Sequence, residues 1–140
     1  MSYQIEFEKA PNHIVATVTG INSREVVMQY MEEIRAECRR QDCFSVLIDE
    51  RLEGPRLGVM DVFSLVSEGS MKALGEFEAI AYVDERMGEL AEFAETVAVN
   101  RGMPIAMFDN VEDANRWLSR RQTGLEGQDI FREREMPDDD

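Results

Sequence analysis

Three largely apolar runs in this chain, interrupted only at Ser45 and Glu78, each close on an aspartate: residues 44–48 before Asp49, 77–83 before Asp84, and 104–108 before Asp109. Strands covered on one face alternate apolar and polar residues, whereas strands covered on both faces read as unbroken apolar runs. The stretches between the runs carry helical spacing instead. Parallel strands cannot be joined by tight turns, so strand–helix alternation of this kind predicts a parallel sheet with helical crossovers. Ahead of the runs the pattern differs. Tyr3, Ile5 and Phe7 alternate with polar residues, as do Ile14, Ala16 and Val18, and Pro11-Asn12 lies between the two stretches. That is the signature of an antiparallel hairpin.

Four helices fit the remaining periodicity. The first places Val27, Tyr30, Met31, Ile34 and Cys38 on one stripe, with Asn22 or Ser23 as its cap. A short second helix carries Val59, Val62, Phe63 and Val66. Gly69 is expected to end it, with one further turn at 71–74. The third aligns Met87, Leu90, Ala91, Ala94, Val97 and Ala98 and stops at Asn100-Arg101-Gly102. The fourth, capped by Asn110, aligns Val111, Ala114, Trp117 and Leu118. The expected architecture is α/β: an antiparallel first strand, then four strand–helix units, forming a five-stranded mixed sheet covered by helices.

A chain of 140 residues supports one core, which the reading places in residues 1–121. Residues 122–140 hold seven acidic and two basic side chains with few apolar ones, and are expected to be a disordered acidic tail. Across the chain 29 acidic residues outnumber 15 basic ones, for a net charge of −14. That field repels phosphate backbones, so nucleic acid is not an expected partner. No apolar stretch reaches the length of a membrane span, the N-terminal residues do not read as a signal peptide, and the expected setting is cytoplasmic. Cys38 and Cys43 have four residues between them, a spacing that suits neither a redox pair nor a zinc knuckle. They read as small buried hydrophobes in a reducing compartment. No cofactor is expected.

Ligands of open parallel sheets bind beyond the carboxyl ends of the strands. Asp49, Asp84 and Asp109 fall there, and three convergent carboxylates could hold Mg²⁺ for phosphoryl transfer. A plainer use for Asp84 and Asp109 is helix N-capping. Arg51 and Arg56, on either side of Gly54-Pro55, and Arg86 after the second run could clamp an anion. Pairing with Glu50, Glu53 and Glu85 is the simpler role. His13, the single histidine, opens a strand at the far end of the sheet. Of the nine methionines, some could line an adaptable apolar pocket, while Met28 and Met136 are expected to be exposed.

Two segments carry a family resemblance. The first is Phe93-x-Glu95-Thr96-x-Ala98-x-Asn100-Arg101-Gly102, followed by Phe108-Asp109-Asn110-x-Glu112-x-Ala114-x-x-Trp117-Leu118; the second is Val46-Leu47-Ile48-Asp49 with Arg51 and Gly54-Pro55. Together they resemble the SpoIIAA-like (STAS) family, and within it small stand-alone bacterial STAS or SEC14-like proteins. The resemblance implies a SpoIIAA-like fold over roughly residues 1–120 and a non-catalytic regulatory or scaffolding role. In antagonist STAS domains a serine in an Asp-x-Ser motif is phosphorylated by a partner kinase. Here Asp49-Glu50-Arg51 puts an arginine in that place, so the phospho-serine switch is not expected. The SEC14-like side implies a lipid-like apolar ligand, for which a domain of this size offers limited room.

The sequence therefore leaves three readings. In order, they are an interaction module with an unknown protein partner and a tendency to homodimerise, a carrier of a small apolar or anionic ligand, and a metal-dependent phosphoryl-transfer enzyme. The candidate partner- or ligand-binding residues are Asp49, Arg51, Gly54, Arg56, Met60, Phe63, Asp84 and Arg86.

Overall fold

The computed structural model describes residues 3–73, 75–86 and 89–121. Its elements are β1 (Tyr3–Lys9), β2 (Ile14–Ile21), α1 (Arg24–Gln41), β3 (Ser45–Glu53), α2 (Val59–Ala73), β4 (Ala79–Asp84), α3 (Glu89–Asn100), β5 (Ile105–Phe108) and α4 (Val111–Arg121). The five strands form one sheet in the order β1-β2-β3-β4-β5. β1 pairs antiparallel with β2, and each later pair is parallel. The alternating hairpin and the apolar runs thus take the places their patterns predict. The tail expected from residue 122 onward lies outside the described residues, as do Met136 and the start of the third helix at Met87.

This strand order decides where the helices go. Each crossover moves one strand further in the same direction, and right-handed crossovers then put all the connecting helices on one face. Accordingly α1, α2 and α3 lie over the face of Ile14, Ala16, Val18, Val46, Ile48 and Ile80, which are fully or almost fully buried with Val26, Tyr30, Ile34, Cys38 and Ala98. The last helix returns to no strand and takes the other face. Ala114 and Leu118 of α4 pack there on Leu47, Ala79, Ala81 and Val83, with Phe108 and Trp117 against them.

Helix ends follow local chemistry. Ser23 caps α1, its hydroxyl accepting from Val26 N–H at 3.1 Å. Asn110 caps α4 in the same way, accepting from Asp113 N–H at 2.8 Å. Both α1 and α3 end in Schellman turns. At α1 the Cys43 N–H reaches Cys38 O and the Asp42 N–H reaches Arg39 O; at α3 the Met103 N–H reaches Ala98 O and the Gly102 N–H reaches Val99 O. The residue in the left-handed position is Gly102 in α3 but Asp42, at φ 53°, in α1.

Three expectations are corrected. Gly69 does not end α2, which runs unbroken to Ala73; one exposed glycine costs a helix only about 1 kcal/mol and does not by itself stop it. β3 does not close at Asp49 but continues through Glu50 and Leu52 to Glu53. The strand from the second run begins at Ala79, not at Phe77, although Phe77 is buried.

Candidate functional site: a largely apolar cavity

α2 packs chiefly on α3 and secondarily on α1, and of its side chains only Ser70 and Ala73 are buried. It therefore roofs the sheet without settling onto it. Beneath it lies a cavity of about 720 Å³, within the size range of small-molecule sites. Its floor is Ile48 and Ile80 with Ile105 and Met107. Its walls are Val27, Met28 and Met31 from α1 and Leu90, Ala91, Ala94 and Ala98 from α3, and its roof is Val62, Leu65 and Val66 from α2. The sequence reading allowed limited room for a pocket; the space arises because a helix held by other helices need not fill the gap to the strands. Met28, expected to be exposed, is half-buried in this wall.

The far end of α2 is tied down by charge. Arg35 Nε and Arg39 Nε of α1 each reach the Glu76 carboxylate at 2.9 Å. Burial alone would raise the Glu76 pKa, but the two guanidinium groups hold it below the usual glutamate value. Near the start of α2, Arg24 Nη2 donates to Ser64 Oγ at 2.8 Å.

Polar groups gather where the strands end. Parity along β3 sends Val46, Ile48, Glu50 and Leu52 to the cavity side and Leu47, Asp49 and Arg51 to the α4 side. Register places Glu50 directly beside Asp84 on β4, and both line the cavity with Arg56, Arg86, Asn22 and Tyr82. Asp84 is fully engaged: its Oδ1 accepts from the Arg86 N–H at 2.9 Å and its Oδ2 pairs with Arg56 Nη2 at 3.4 Å. The Arg86 guanidinium donates to Leu52 O at 2.7 Å and Gly54 O at 3.3 Å, tying the β3–α2 turn to the end of β4. Gly54 sits at φ 93° in that turn, where a side chain would be strained.

Glu50 is 8% exposed and accepts from the Leu52 N–H. Burial first, and the neighbouring Asp84 charge second, push its pKa up to about 7. Behind it the hydroxyls of Tyr30 and Tyr82 share a 2.5 Å hydrogen bond. Burial drives the pKa of both phenols well above the ordinary tyrosine value, with the Glu50 charge adding to the rise.

Of the residues singled out from sequence, Gly54, Arg56, Asp84 and Arg86 come together at this end. Asp49 and Arg51 do not: they face the opposite side, where Arg51 Nη2 pairs with Asp49 Oδ2 at 2.8 Å. The three strand-end aspartates therefore do not converge, and among the described residues no group of three or more His, Cys, Asp or Glu side chains could hold a metal ion. The described part of α3 begins at Glu89, so the expected helix cap at Asp84 falls against residues outside those described. The expected arginine pairings with Glu50, Glu53 and Glu85 give way to Asp49, Asp84 and the backbone carbonyls. Met60 and Phe63 lie on the outer surface, 75% and 41% exposed. Glu50 and Tyr82 were missed as site residues, although Leu52 two positions beyond Glu50 carried the signal that the strand, and its inward face, ran on.

Comparison with family models and with curated proteins yields no match. The reading of the site consequently rests on its geometry.

Proposed function

We propose that the protein binds a small, predominantly apolar molecule beneath α2 and acts as a carrier or sensor of that molecule, not as a catalyst. The observation that carries this reading is the cavity of about 720 Å³, lined mainly by aliphatic and methionine side chains, with Glu50, Arg56, Asp84 and Arg86 at the strand ends and Glu32, Glu33, Arg35, Glu68 and Lys72 contributed by α1 and α2. Adaptable Met28, Met31, Met103 and Met107 suit a flexible hydrocarbon chain. The SEC14-like side of the family resemblance carries the same expectation. The strand order with its antiparallel first strand is in keeping with a SpoIIAA-like fold, and we extend the assignment that far.

A neutral fluorescent probe, N-phenyl-1-naphthylamine, tests the reading. Its emission is expected to rise on titration with the protein, and Ala94→Phe, which fills the cavity from α3, is expected to weaken binding at least about tenfold while the fold is retained. Absence of binding, or binding indifferent to Ala94→Phe, counts against an apolar site.

A second reading has its own support. Val59, Met60, Phe63 and Met71 of α2 and Phe93 of α3 are large apolar residues with exposures from 37% to 79%. A surface of this kind marks an interaction site, and a regulatory or scaffolding contact, a homodimer in the first instance, would use it.

A further inference from the structure

We infer that the cavity, where it meets the strand ends, selects a head group that donates hydrogen bonds and carries no negative charge, a hydroxyl or an amine, received by Glu50 and by Asn22 Oδ1. The inference rests on the reading that the cavity holds an apolar chain. Donors and acceptors at the strand ends are unequally satisfied.

Much of the arginine donor capacity there is already engaged. Arg86 is held on the carbonyls of Leu52 and Gly54, and Arg56 faces Asp84. Asn22 Nδ2 donates to Pro55 O at 3.0 Å, which fixes the orientation of its amide. Two buried acceptors are short of donors. Asn22 Oδ1 is buried without a hydrogen-bond partner, and it belongs to a residue lining the cavity. The Glu50 carboxyl, on the same wall and 8% exposed, accepts from one backbone N–H and has further lone pairs open. Buried acceptors left without donors are costly, and a ligand that supplies donors relieves that cost. A carboxylate or phosphate head would bring more acceptors, and a negative charge in excess of the balance that Glu50 and Asp84 already strike with Arg56 and Arg86. The sequence alone left a small apolar or an anionic ligand open; the register that sets Glu50 beside Asp84 favours an uncharged or cationic head.

The charged and titratable groups around Glu50 come from every neighbouring element: Asp84 and Tyr82 on β4, Tyr30 on α1, Arg56 before α2, and Arg86 after β4. Both tyrosines stay neutral through the working range, because burial raises their pKa values. At pH 8 the ionised Glu50 is therefore the group an incoming head meets.

The test is isothermal titration calorimetry of the full chain at pH 8 with three probes of one chain length: 1-decanol, decylamine and decanoate. The alcohol and the amine are expected to bind at least about tenfold more tightly than decanoate. Whichever of the two binds better names the head group. In Glu50→Gln, with folding checked by circular dichroism, the disadvantage of decanoate is expected to shrink at least about threefold, because the repelling charge is gone. Decanoate binding as tightly as the alcohol and amine, or a disadvantage unchanged in Glu50→Gln, overturns the inference and leaves the apolar site standing. Failure of all three probes defeats the apolar site itself.

Discussion

Glu50 couples the cavity to the stability of the fold. Its pKa rises from the ordinary 4.5 to about 7 in the folded chain, so the native state holds this proton more tightly than the unfolded one. Linkage then sets the sign: the stability associated with the protonated carboxyl is fully present below pH 4.5 and is lost as pH rises through about 7. At about 1.4 kcal/mol per pKa unit, the ionised carboxylate costs the fold about 3 kcal/mol above that window. Glu50 is 8% exposed, so solvent screening removes little of this. Glu50→Gln keeps the size of the side chain and an oxygen to accept the Leu52 N–H, but cannot ionise. Urea unfolding of both proteins from pH 4 to pH 8.5 isolates the effect, because titration of the other carboxylates is common to both. The difference in unfolding free energy is expected to be near zero at pH 4 and to grow with pH in favour of Glu50→Gln, reaching about 3 kcal/mol by pH 8. A difference that stays flat across the range would refute the placement of a buried carboxyl beside Asp84.

Further substitutions test the surrounding structure. Asp42 occupies the left-handed position of the α1 Schellman turn at φ 53°, so Asp42→Gly is expected to raise the urea midpoint, with a gain of about 1 kcal/mol. Gly102→Ala, at φ 87° in the equivalent turn of α3, is expected to lower it by a similar amount. Glu76→Ala removes the carboxylate that joins Arg35 and Arg39; hydrogen exchange is expected to quicken in α2 more than in the strands, since that clamp holds the end of α2 and not the sheet. Light scattering at tens of micromolar is expected to show association that tightens as salt rises, since screening weakens the repulsion of a −14 chain while apolar contact persists; a monomer at both low and high salt ends the dimer reading.

Much of the architecture was legible in the sequence because period and burial are linked. Ile5 and Phe7 alternate since β1 has helices on one side only, whereas Val46, Leu47 and Ile48 run together because β3 is covered on both. Strand ends were harder to read. Asp49 looked like a terminus because a charge usually leaves the core, but it is 6% exposed on the α4 side, balanced by Arg51 two residues on. That misplaced boundary hid Glu50, whose inward parity becomes visible once Leu52 is counted as strand. Gly69 misled for a related reason: a break in apolar spacing is not a break in hydrogen bonding. The cavity itself had no local signal. It is created by α2 resting on α1 and α3 above the sheet, a relation among elements far apart in the chain; Ala94 and Ala98 read from sequence as ordinary core and Met28 as an exposed residue.

Native mass spectrometry of the protein purified from its own host bears most directly on the central claim that the cavity holds an apolar ligand. Conditions are first set so that the complex with added 1-decanol survives into the gas phase. The account predicts a species heavier than the chain by one small amphiphilic molecule, lost in Ala94→Phe and identified on release as an alcohol or an amine. Recovery of the bare chain alone under those same conditions would contradict it.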